Sequence, residues 1–405
     1  MSNVLVIPEK NEGLNPLRVI EEGLKSELID EVYVIDGWST DNTRLLLKKR
    51  IPKLAKKYGK KVELYCSKLR NAGKGAAMVT GMEIALDKGH SNIVFMDADI
   101  VSITSRWFDL LVNGMKKYDA DMTRGYFDRS AFDAQITRHV TVPSINMFFP
   151  EGRGINQPLG GELCMKSSFV QYLLDYQIAP PSTWGIDTFI TVTALVEGFN
   201  VIELYLSQKL HKSKTLRELE NMFLECFDEM AKLIHFHERD QKIPRSPKIN
   251  IKTIPQSESN IERVGEDVRN LAYMDFNSEL NHLYNSIKNL KLNFNQLSQL
   301  GLKETDYMEL ARLSKSMETF KKESVLLGPE KWVQLLNALL RGYIKQQFSS
   351  RYHALLFNVW RMRALAFCLN EATSFEKAEE NTRIQAEYAF KFGQKKSQMQ
   401  ANRSV

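Results

Sequence analysis

The sequence predicts an α/β domain built on a mostly parallel sheet, followed by an all-helical domain. Three observations carry this prediction. Short β-branched runs alternate with helix-periodic segments over residues 1–110, and beyond residue 260 apolar residues recur at three-and-four spacing. The length of 405 residues is sufficient for two or three domains with their own cores.

Strands and helices alternate along the N-terminal part of the chain. Strands are predicted at Val4–Ile7, Glu31–Ile35, Val62–Cys66 and Asn92–Met96, and helices at Leu14–Leu28, Thr43–Tyr58 and Ala76–Leu86. This alternation makes the strands parallel and places helices on both faces of the sheet. Ligands of open α/β sheets bind beyond the carboxyl ends of the strands. We therefore expect the site at that edge, where segments 8–12 and 97–99 follow two of the strands.

Three segments are predicted along the chain. Residues 1–238 form the α/β domain, residues 239–258 form a proline-containing linker or an arm over that domain, and residues 259–405 form the helical domain with a frayed tail. The helices of that domain are predicted at Ile261–Leu297, Glu304–Leu326, Pro329–Gln347 and Tyr352–Leu369. Their amphipathic faces are compatible with a homodimer or a higher homo-oligomer, and equally with packing inside one chain.

Composition and charge exclude several classes of protein. The chain is 43% hydrophobic and 26% charged, which is typical of a globular protein and not of a disordered one. Its net charge of +6 is not concentrated in a Lys/Arg block, so neither a nucleic-acid nor a membrane partner is expected, whereas an anionic small substrate fits. Residues 1–8 lack the pattern of a signal peptide, no run of about 18 apolar residues occurs, and the four cysteines are scattered, so we expect neither export nor a membrane span. We expect a cytoplasmic protein.

Two aspartates follow the fourth predicted strand. Asp97 and Asp99 are separated by one residue, so their carboxylates project to the same side of the chain. Such hard oxygen ligands suit Mg²⁺ or Mn²⁺ bridging a diphosphate. For an isolated Asp-x-Asp, a helix cap with a turn aspartate would be the favoured explanation. The position after a strand, and the neighbouring cations, favour the metal site.

Lysines and a further aspartate also lie in loops after strands. Lys10 follows the first strand, and Lys74 lies in the Asn-Ala-Gly-Lys-Gly segment that opens a helix. Backbone N–H groups at a helix N-terminus together with an ammonium group predict a phosphate site, although each lysine alone would also be typical of a solvated surface. Asp36, at the end of the second strand, could accept hydrogen bonds from a nucleobase, while the residues after it are typical of a turn and helix cap.

A polar helix near Arg129–Thr137 predicts an acceptor site. Arg129, Asp133 and Thr137 are spaced by four residues, so on a helix they would form one stripe. Arginine binds a carboxylate, and aspartate and threonine bind hydroxyl groups, which together suit a small hydroxy acid. A solvated helix face would place the same residues together. Arg124 or Arg138 could serve an additional phosphate on the acceptor.

The order of the motifs resembles that of the mannosylglycerate synthases, retaining glycosyltransferases of the GT-A fold. The motifs are Pro-x-Lys-x-Glu at 8–12, Gly-Lys-Gly at 73–75, Asp-Ala-Asp at 97–99, Gln-Pro-Leu-Gly-Gly-Glu-Leu at 157–163, Trp-Gly-Ile-Asp-Thr at 184–188 and a downstream His211. The sequence is more loosely similar to the glucosyl-3-phosphoglycerate synthases. The resemblance covers roughly Met1–Leu233 and implies a Rossmann-like domain that binds a nucleotide sugar.

The resemblance also implies roles for individual residues. Asp99 and His211 would ligate the divalent metal, Mg²⁺ or Mn²⁺. The residues that would bind the donor are Pro8, Lys10, Glu12, Asp36, Lys74, Asp97 and Met222. The backbone carbonyl of Leu159 would lie beneath the anomeric carbon, and Asp187 would bind a sugar or acceptor hydroxyl and take up its proton. Glycerate would be bound by Arg129, Asp133 and Thr137.

The implied reaction transfers mannose from GDP-mannose to the 2-hydroxyl of D-glycerate and makes mannosylglycerate, a compatible solute. Two departures keep a second reaction open: the segment 36–41 is closer to the glucosyl-3-phosphoglycerate synthases, and residues 212–214 are Lys-Ser-Lys where the family has an aromatic residue. That alternative transfers glucose from GDP- or UDP-glucose to glycerate or 3-phosphoglycerate. A nucleotidyltransferase and a non-catalytic nucleotide-sugar-binding protein are alternatives of another class.

Overall fold

The structure is a computed structural model that describes residues 2–70, 72–212, 214–240, 251–259, 261, 275–290 and 294–401. These residues divide into two compact units. The described residues of the α/β unit fall within Met1–Asp128, Ile155–Lys212 and Lys248–Val268, and those of the helical unit within Arg129–Gly154, Ser213–Pro247 and Arg269–Val405.

The α/β unit contains one eight-stranded sheet. Its strands are β1 (Asn3–Glu9), β2 (Glu31–Asp36), β3 (Lys61–Cys66), β4 (Asn92–Phe95), β5 (Met122–Asp128), β6 (Leu163–Lys166), β7 (Val201–Gln208) and β8 (Ile251–Ile254). They are arranged in the order β3-β2-β1-β4-β6-β5-β7-β8. Strand β6 is antiparallel to both its neighbours, and the other pairs are parallel. The amino end of β6 therefore lies at the same edge as the carboxyl ends of the other strands.

The helices are numbered along the whole chain. They are α1 (Asn15–Lys25), α2 (Thr43–Tyr58), α3 (Lys74–Asp87), α4 (Ser105–Lys117), α5 (Val142–Phe148), α6 (Ser167–Leu174), α7 (Ile186–Val196), α8 (Glu220–Asp240), α9 (Gln256–Ser259), α10 (Phe276–Leu290), α11 (Phe294–Gln299), α12 (Glu304–Leu313), α13 (Met317–Glu323), α14 (Pro329–Lys345), α15 (His353–Asn370) and α16 (Phe375–Ala401). No helix among the described residues combines the length and the apolar run that crossing a bilayer requires.

Both faces of the sheet are covered because its central strands are apolar on both sides. On one face, Leu5 and Ile7 belong to a buried cluster that also includes side chains of α1, α2 and α4. On the other face, Val6 packs against α3, where Gly81 allows a close approach because a Cβ at this position would clash with the Val6 side chain. The alternation of side chains along β1 thus assigns successive residues to opposite cores.

The helical unit is built around α15, whose residues Leu355–Cys368 are all buried. A helix that is buried on every side must lie inside its bundle. Its two buried arginines have partners within the unit, as buried charges require. Arg363 donates hydrogen bonds to the Leu327 carbonyl at 2.8 Å and to Gln385 at 2.9 Å and pairs with Glu371.

The predicted α/β class with a mostly parallel sheet and a helical C-terminal region is confirmed. The compact units, however, do not divide at residue 238. Residues 129–154 and 214–240 group with the helices. Distant contacts cause this, since Trp332 donates a hydrogen bond to the His139 carbonyl at 2.7 Å and Arg138 pairs with Glu379 at 2.7 Å.

The segment predicted as a linker contributes to the sheet. Residues 241–250 lie outside the described part, but Ile251–Ile254 form β8 beside β7, with Ile254 buried in the core. This short β-branched run is therefore an added edge strand. In the predicted first helix of the C-terminal domain, residues 262–274 and 291–293 lie outside the described part. Helix α16 runs to Ala401, and the rest of the predicted frayed tail lies outside that part too.

Candidate active site

Five charged side chains of the α/β unit form an alternating row of acids and bases. Lys74 Nζ lies 2.9 Å from both Asp187 Oδ2 and Asp97 Oδ1. Lys209 Nζ lies 2.9 Å from Asp97 Oδ2 and also pairs with Glu162 Oε1. We call the row Asp187–Lys74–Asp97–Lys209–Glu162 the ion ladder. Asp97 is its centre, with one ammonium group on each carboxylate oxygen.

The sheet topology explains why residues so far apart in sequence meet. Asp97 follows β4, Lys209 follows β7, and Glu162 precedes the antiparallel β6, so all three emerge at one edge of the sheet. Lys74 is the first residue of α3, and Asp187 is in the first turn of α7. This edge is where ligands of open α/β sheets bind.

Most of the ion ladder is shielded from water. Glu162 is fully buried, and the side chains of Asp187, Lys209 and Lys74 are 5%, 6% and 8% exposed, whereas Asp97 is 24% exposed. Three carboxylates face two ammonium groups, so the ladder carries a net negative charge when every group is ionised. Asp97 is thus the member that an incoming ligand reaches most easily.

Burial and neighbouring charges shift the pKa values of the ion-ladder residues in different directions. Burial raises the pKa of Glu162 and of Asp187 above the usual carboxyl range, although a lysine opposes the rise in each case. Burial alone would also raise the pKa of Asp97, but Lys209 and Lys74 outweigh it and hold that pKa well below its usual range. For Lys74, burial would lower the pKa, and Asp187 and Asp97 together raise it.

Gly161 leaves the space in which Asp97 and Lys74 meet. A Cβ at this position would clash with Asp97 Oδ1 and lie 2.7 Å from Lys74 Nζ. Any side chain here would therefore push Asp97 and Lys74 apart. The glycine pair in the Pro-Leu-Gly-Gly segment thus serves close approach of the backbone to charged groups.

The predicted phosphate site at the start of α3 is not formed by free backbone groups. Asn71 lies outside the described residues, but the N–H groups of Gly73 and Ala76 donate to the Ser182 carbonyl at 2.9 and 3.1 Å, and that of Gly75 donates to the Thr183 carbonyl at 3.1 Å. These donors are therefore already used within the protein. The N-terminus of α3 anchors the segment that leads to Asp187, and it contributes charge to the site through Lys74.

The Pro-Leu-Gly-Gly turn is held firmly on both sides of Leu159. Thr191 donates to the Pro158 carbonyl at 2.8 Å, and Arg124, itself fully buried, donates to the Gly160 carbonyl at 3.2 Å. Arg124 also donates to Thr191 at 2.6 Å, which ties the two supports together. Among the described residues, none donates a hydrogen bond to the Leu159 carbonyl.

Asp99 and His211 lie close to each other at the same edge, since Asp99 Oδ2 is 4.0 Å from His211 Nδ1. Two ligand atoms bound to one cation at about 2.1 Å are separated by roughly 3 Å. A small side-chain rotation would therefore bring Asp99 and His211 close enough to bind the same cation. A carboxylate and an imidazole are a suitable donor set for a divalent transition metal with open positions for substrate oxygens. No group of three or more His, Cys, Asp or Glu side chains within the described ranges is arranged to hold a metal. Ser213, two residues after His211, lies outside those ranges.

The loops after β1 and β2 are joined. The backbone N–H of Asn11 donates to Ser39 Oγ at 2.9 Å, and Asn11 Oδ1 accepts from the Thr40 N–H at 2.7 Å. This contact holds the segment that contains Pro8, Lys10 and Glu12 beside Asp36. Of these, Lys10 is exposed, Glu12 is half-buried and Pro8 is buried. Asp36 is 1% exposed and accepts a hydrogen bond from the Ser39 N–H at 2.8 Å.

In the helical unit, Arg129 and Asp133 lie together, but not on a helix. Arg129 Nη2 is 2.8 Å from Asp133 Oδ2, while residues 129–134 are an irregular segment with a turn at 131–132, and helical residues begin at 135. The predicted helical stripe is wrong because Ala134 has a φ of 58°, and its N–H is capped by Asp133 Oδ1 at 2.7 Å. Thr137 is buried at the start of a π-helical turn, and Met222 is half-buried in α8.

Three buried charged residues were not singled out from the sequence. Lys209 lies in a segment with other basic residues, Lys212, Lys214 and Arg217, and Glu162 lies in the motif at 157–163. Glu9 ends β1 directly after the apolar run 4–8, is 4% exposed, and has a pKa raised to about 8 by burial and by Asp36 beside it. An acidic residue that directly follows an apolar run within a buried strand is the signal that could have revealed Glu9.

The family model for the mannosylglycerate synthase GT domain matches residues 4–232, more than half of the 405 residues. The protein therefore belongs to this family, and the predicted resemblance is confirmed. The ion ladder lies entirely within the matched segment.

Two curated relatives are similar to the chain. It is 32% identical over 245 residues to mannosylglycerate synthase of Selaginella moellendorffii, covering 57% of this chain and 56% of the relative. It is 27% identical over 219 residues to glucosyl-3-phosphoglycerate synthase of Petrotoga mobilis, covering 50% of this chain and 62% of the relative. The chain thus matches less than two thirds of the length of either relative.

Solved structures of glucosyl-3-phosphoglycerate synthase from Mycobacterium tuberculosis are also similar. The complex with Mg²⁺ and uridine diphosphate has a TM-score of 0.49 at 20% identity, covering 60% of this chain and 81% of that one. The complex with Mn²⁺, UDP-glucose and phosphoglyceric acid has a TM-score of 0.47 at 20% identity, with the same coverage.

Proposed function

We propose that this protein is a metal-dependent, retaining glycosyltransferase that transfers mannose from GDP-mannose to the 2-hydroxyl of D-glycerate. The observation that carries the proposal is the ion ladder, because it gathers Lys74, Asp97 and Asp187 at the ligand-binding edge of the sheet in a chain of the mannosylglycerate synthase family. The similarity to a relative named mannosylglycerate synthase supports the choice of donor and acceptor.

The donor would be bound at the edge formed by β1, β2 and β4. Lys10, Glu12 and Asp36 are held in two joined loops there, and Lys74 provides a buried cation for the phosphates. The carboxylate of Asp97 would face the ribose. Lys74 is already paired with two carboxylates, so its ammonium group is in position before any substrate arrives. The protein therefore does not have to reorganise this charge when the donor binds.

The carboxylate of Asp99 and the imidazole of His211 would hold the divalent metal, Mg²⁺ or Mn²⁺. When bound, such an ion neutralises charge on the diphosphate as it leaves. The protein contributes the position of the two ligands, 4.0 Å apart in this structure.

Asp187 is suited to accept the proton of the attacking hydroxyl. Its Oδ2 is fixed by Lys74 at 2.9 Å, while its Oδ1 is buried and accepts no hydrogen bond from the described residues. A carboxylate whose pKa is raised by burial is a stronger base than an exposed one. The Leu159 carbonyl, whose neighbours on both sides are held by Arg124 and Thr191, would support positive charge at the anomeric carbon.

The acceptor carboxylate would be bound by Arg129, and its hydroxyl groups by Asp133 and Thr137. Arg129 is 11% exposed and pairs with Asp133, so its guanidinium is oriented without a ligand. The two arginines that could bind a phosphate on the acceptor already donate hydrogen bonds within the protein, which favours an unphosphorylated acceptor. Arg124 is buried and donates to Thr191 and Gly160, and Arg138 donates to Thr382 at 2.8 Å and to Glu379 at 2.7 Å.

The test is a comparison of donors and acceptors with purified protein and Mn²⁺. GDP-mannose, GDP-glucose and UDP-glucose are each combined with D-glycerate and with 3-phosphoglycerate, and the release of nucleoside diphosphate and of pyrophosphate is measured. The proposal expects GDP release that requires both GDP-mannose and glycerate. Preference for 3-phosphoglycerate or a glucose donor would support the glucosyltransferase alternative. A nucleotidyltransferase would instead release pyrophosphate from a nucleoside triphosphate and a sugar 1-phosphate, so GTP with mannose 1-phosphate is assayed separately. A protein that consumes no donor would contradict catalysis altogether.

A further inference from the structure

The centre of the ion ladder raises a question about the Asp-x-Asp motif. Asp97 and Asp99 are both carboxylates at the same strand end, but their surroundings differ. Both oxygens of Asp97 face an ammonium nitrogen at 2.9 Å, whereas Asp99 lies beside the imidazole of His211. A cation approaching Asp97 would meet two ammonium groups, whereas one approaching Asp99 would meet an imidazole ring that can serve as a second ligand.

From this geometry we infer that Lys209, held by Glu162, is a positioning residue that keeps the Asp97 carboxylate away from the metal and directs metal binding to Asp99 and His211. This inference rests on the proposed function for its meaning in catalysis, but the metal preference itself can be measured without turnover. Neither Lys209 nor Glu162 needs to touch a substrate for this role. Both act through Asp97.

The contacts of Lys209 show that it is built into the site and not simply near it. Its backbone N–H donates to the Asp128 carbonyl at 3.2 Å, which fixes the residue at the ends of two adjacent strands, β5 and β7. Its side chain is 6% exposed and spans from Glu162 to Asp97. A buried lysine loses its hydration and a good deal of side-chain freedom, so its position is defined by these two carboxylates.

Glu162 keeps the side chain of Lys209 in place. The side chain is fully buried, one oxygen pairs with Lys209, and the other accepts no hydrogen bond from the described residues. A buried carboxylate with one partner depends strongly on that partner. Glu162 therefore holds the ammonium group of Lys209 in the site even when a ligand competes for Asp97.

Removing Lys209 should therefore free one Asp97 oxygen to coordinate metal. The first variant is Lys209→Met, which keeps the length of the side chain and removes the charge. Because it leaves Glu162 buried without a partner and can fail to fold, the second variant is the pair Lys209→Met with Glu162→Gln. Lys209→Arg keeps the positive charge and should restore the behaviour of the unaltered protein.

Binding of Mn²⁺ is measured by electron paramagnetic resonance in the absence of nucleotide, with full-length protein. A single nearby charge changes ionic equilibria by about tenfold or more, so both charge-removing variants should bind Mn²⁺ about tenfold more tightly. Adding Asp97→Asn to either variant should abolish the gain. The matched control is Lys166→Met, since Lys166 also bridges two carboxylates, Asp119 at 3.4 Å and Asp121 at 3.1 Å, at the other end of β6.

The outcomes separate the inference from the proposed function. Tighter Mn²⁺ binding in the folded double variant, lost again with Asp97→Asn and absent in Lys166→Met, supports the positioning role even if no transfer is detected with any donor. Unchanged Mn²⁺ affinity in the folded double variant would overturn it. Where turnover is measurable, the variants should raise the KM for the donor about tenfold while the KM for the acceptor stays constant.

Discussion

The buried carboxyl group of Glu9 makes the stability of this protein depend on pH in an unusual direction. Glu9 is 4% exposed, its Oε1 accepts no hydrogen bond from the described residues, and Asp36 lies beside it. Burial and the neighbouring acid raise its pKa from 4.5 to about 8. The folded protein therefore keeps a proton that the unfolded chain loses between these two values, and folding becomes less favourable as the pH rises through that window.

The size of the effect follows from the same numbers. A rise in pKa from 4.5 to about 8, at about 1.4 kcal/mol per pKa unit, corresponds to about 5 kcal/mol lost at pH 8 and above. Partial screening by solvent reduces the expected value to about 3 kcal/mol. Glu9→Gln removes the titration and lets the amide donate to Asp36, so it should stabilise the protein by that amount at pH 8.5 and by little at pH 4.5.

Urea denaturation of both proteins at several pH values measures this difference. The control is Glu258→Gln, which changes an exposed glutamate on α9 and should leave the stability unchanged. If Glu9→Gln is no more stable than the unaltered protein at pH 8.5, or if its advantage is the same at pH 4.5, the assignment of a protonated Glu9 is refuted.

Three further predictions concern the site. Asp187→Asn should lower kcat about 100-fold or more, with little change in the KM for the donor, and should remove a limb of the pH–rate profile that lies above the range of an ordinary aspartate. Gly161→Ala should raise the KM for the donor at least about tenfold while thermal unfolding shows a folded protein, because its Cβ displaces Asp97 and Lys74. Arg129→Leu should raise the KM for glycerate about 10- to 100-fold, as expected for a lost charge-assisted hydrogen bond, whereas Arg153→Leu, an exposed arginine of the same unit, should not. Unaltered kinetics in any of these variants would contradict the role assigned to that residue.

Local patterns in the sequence were sufficient for most of the α/β unit. The helix predicted at Thr43–Tyr58 has the bounds of α2, because its apolar spacing and the following Gly59 in a left-handed conformation define both its face and its end. The strand predicted at Val62–Cys66 differs from β3 by one residue. These elements are specified by their own residues, so a single sequence contains the information for them.

Contacts between distant segments could not be predicted from local sequence patterns. Residues 129–134 are irregular where a helix was predicted, because one residue, Ala134, adopts a positive φ that its side chain does not favour. The N–H groups at the start of α3 are used by residues 182 and 183, more than 100 positions away. Likewise, the roles of Lys209 and Glu162 become visible only when the strand order is known, because it places the end of β7 and the start of β6 at the same edge as Asp97.

The central claim is that the protein transfers mannose from GDP-mannose to the 2-hydroxyl of D-glycerate with retention. The most direct test is a proton NMR time course of the purified protein with GDP-mannose, D-glycerate and Mg²⁺, which shows the anomeric signal of the first product formed. We predict an α-linked mannosyl group on the 2-hydroxyl of glycerate, appearing together with GDP. A β-linked first product, or an unchanged GDP-mannose signal in the presence of glycerate and metal, would contradict it.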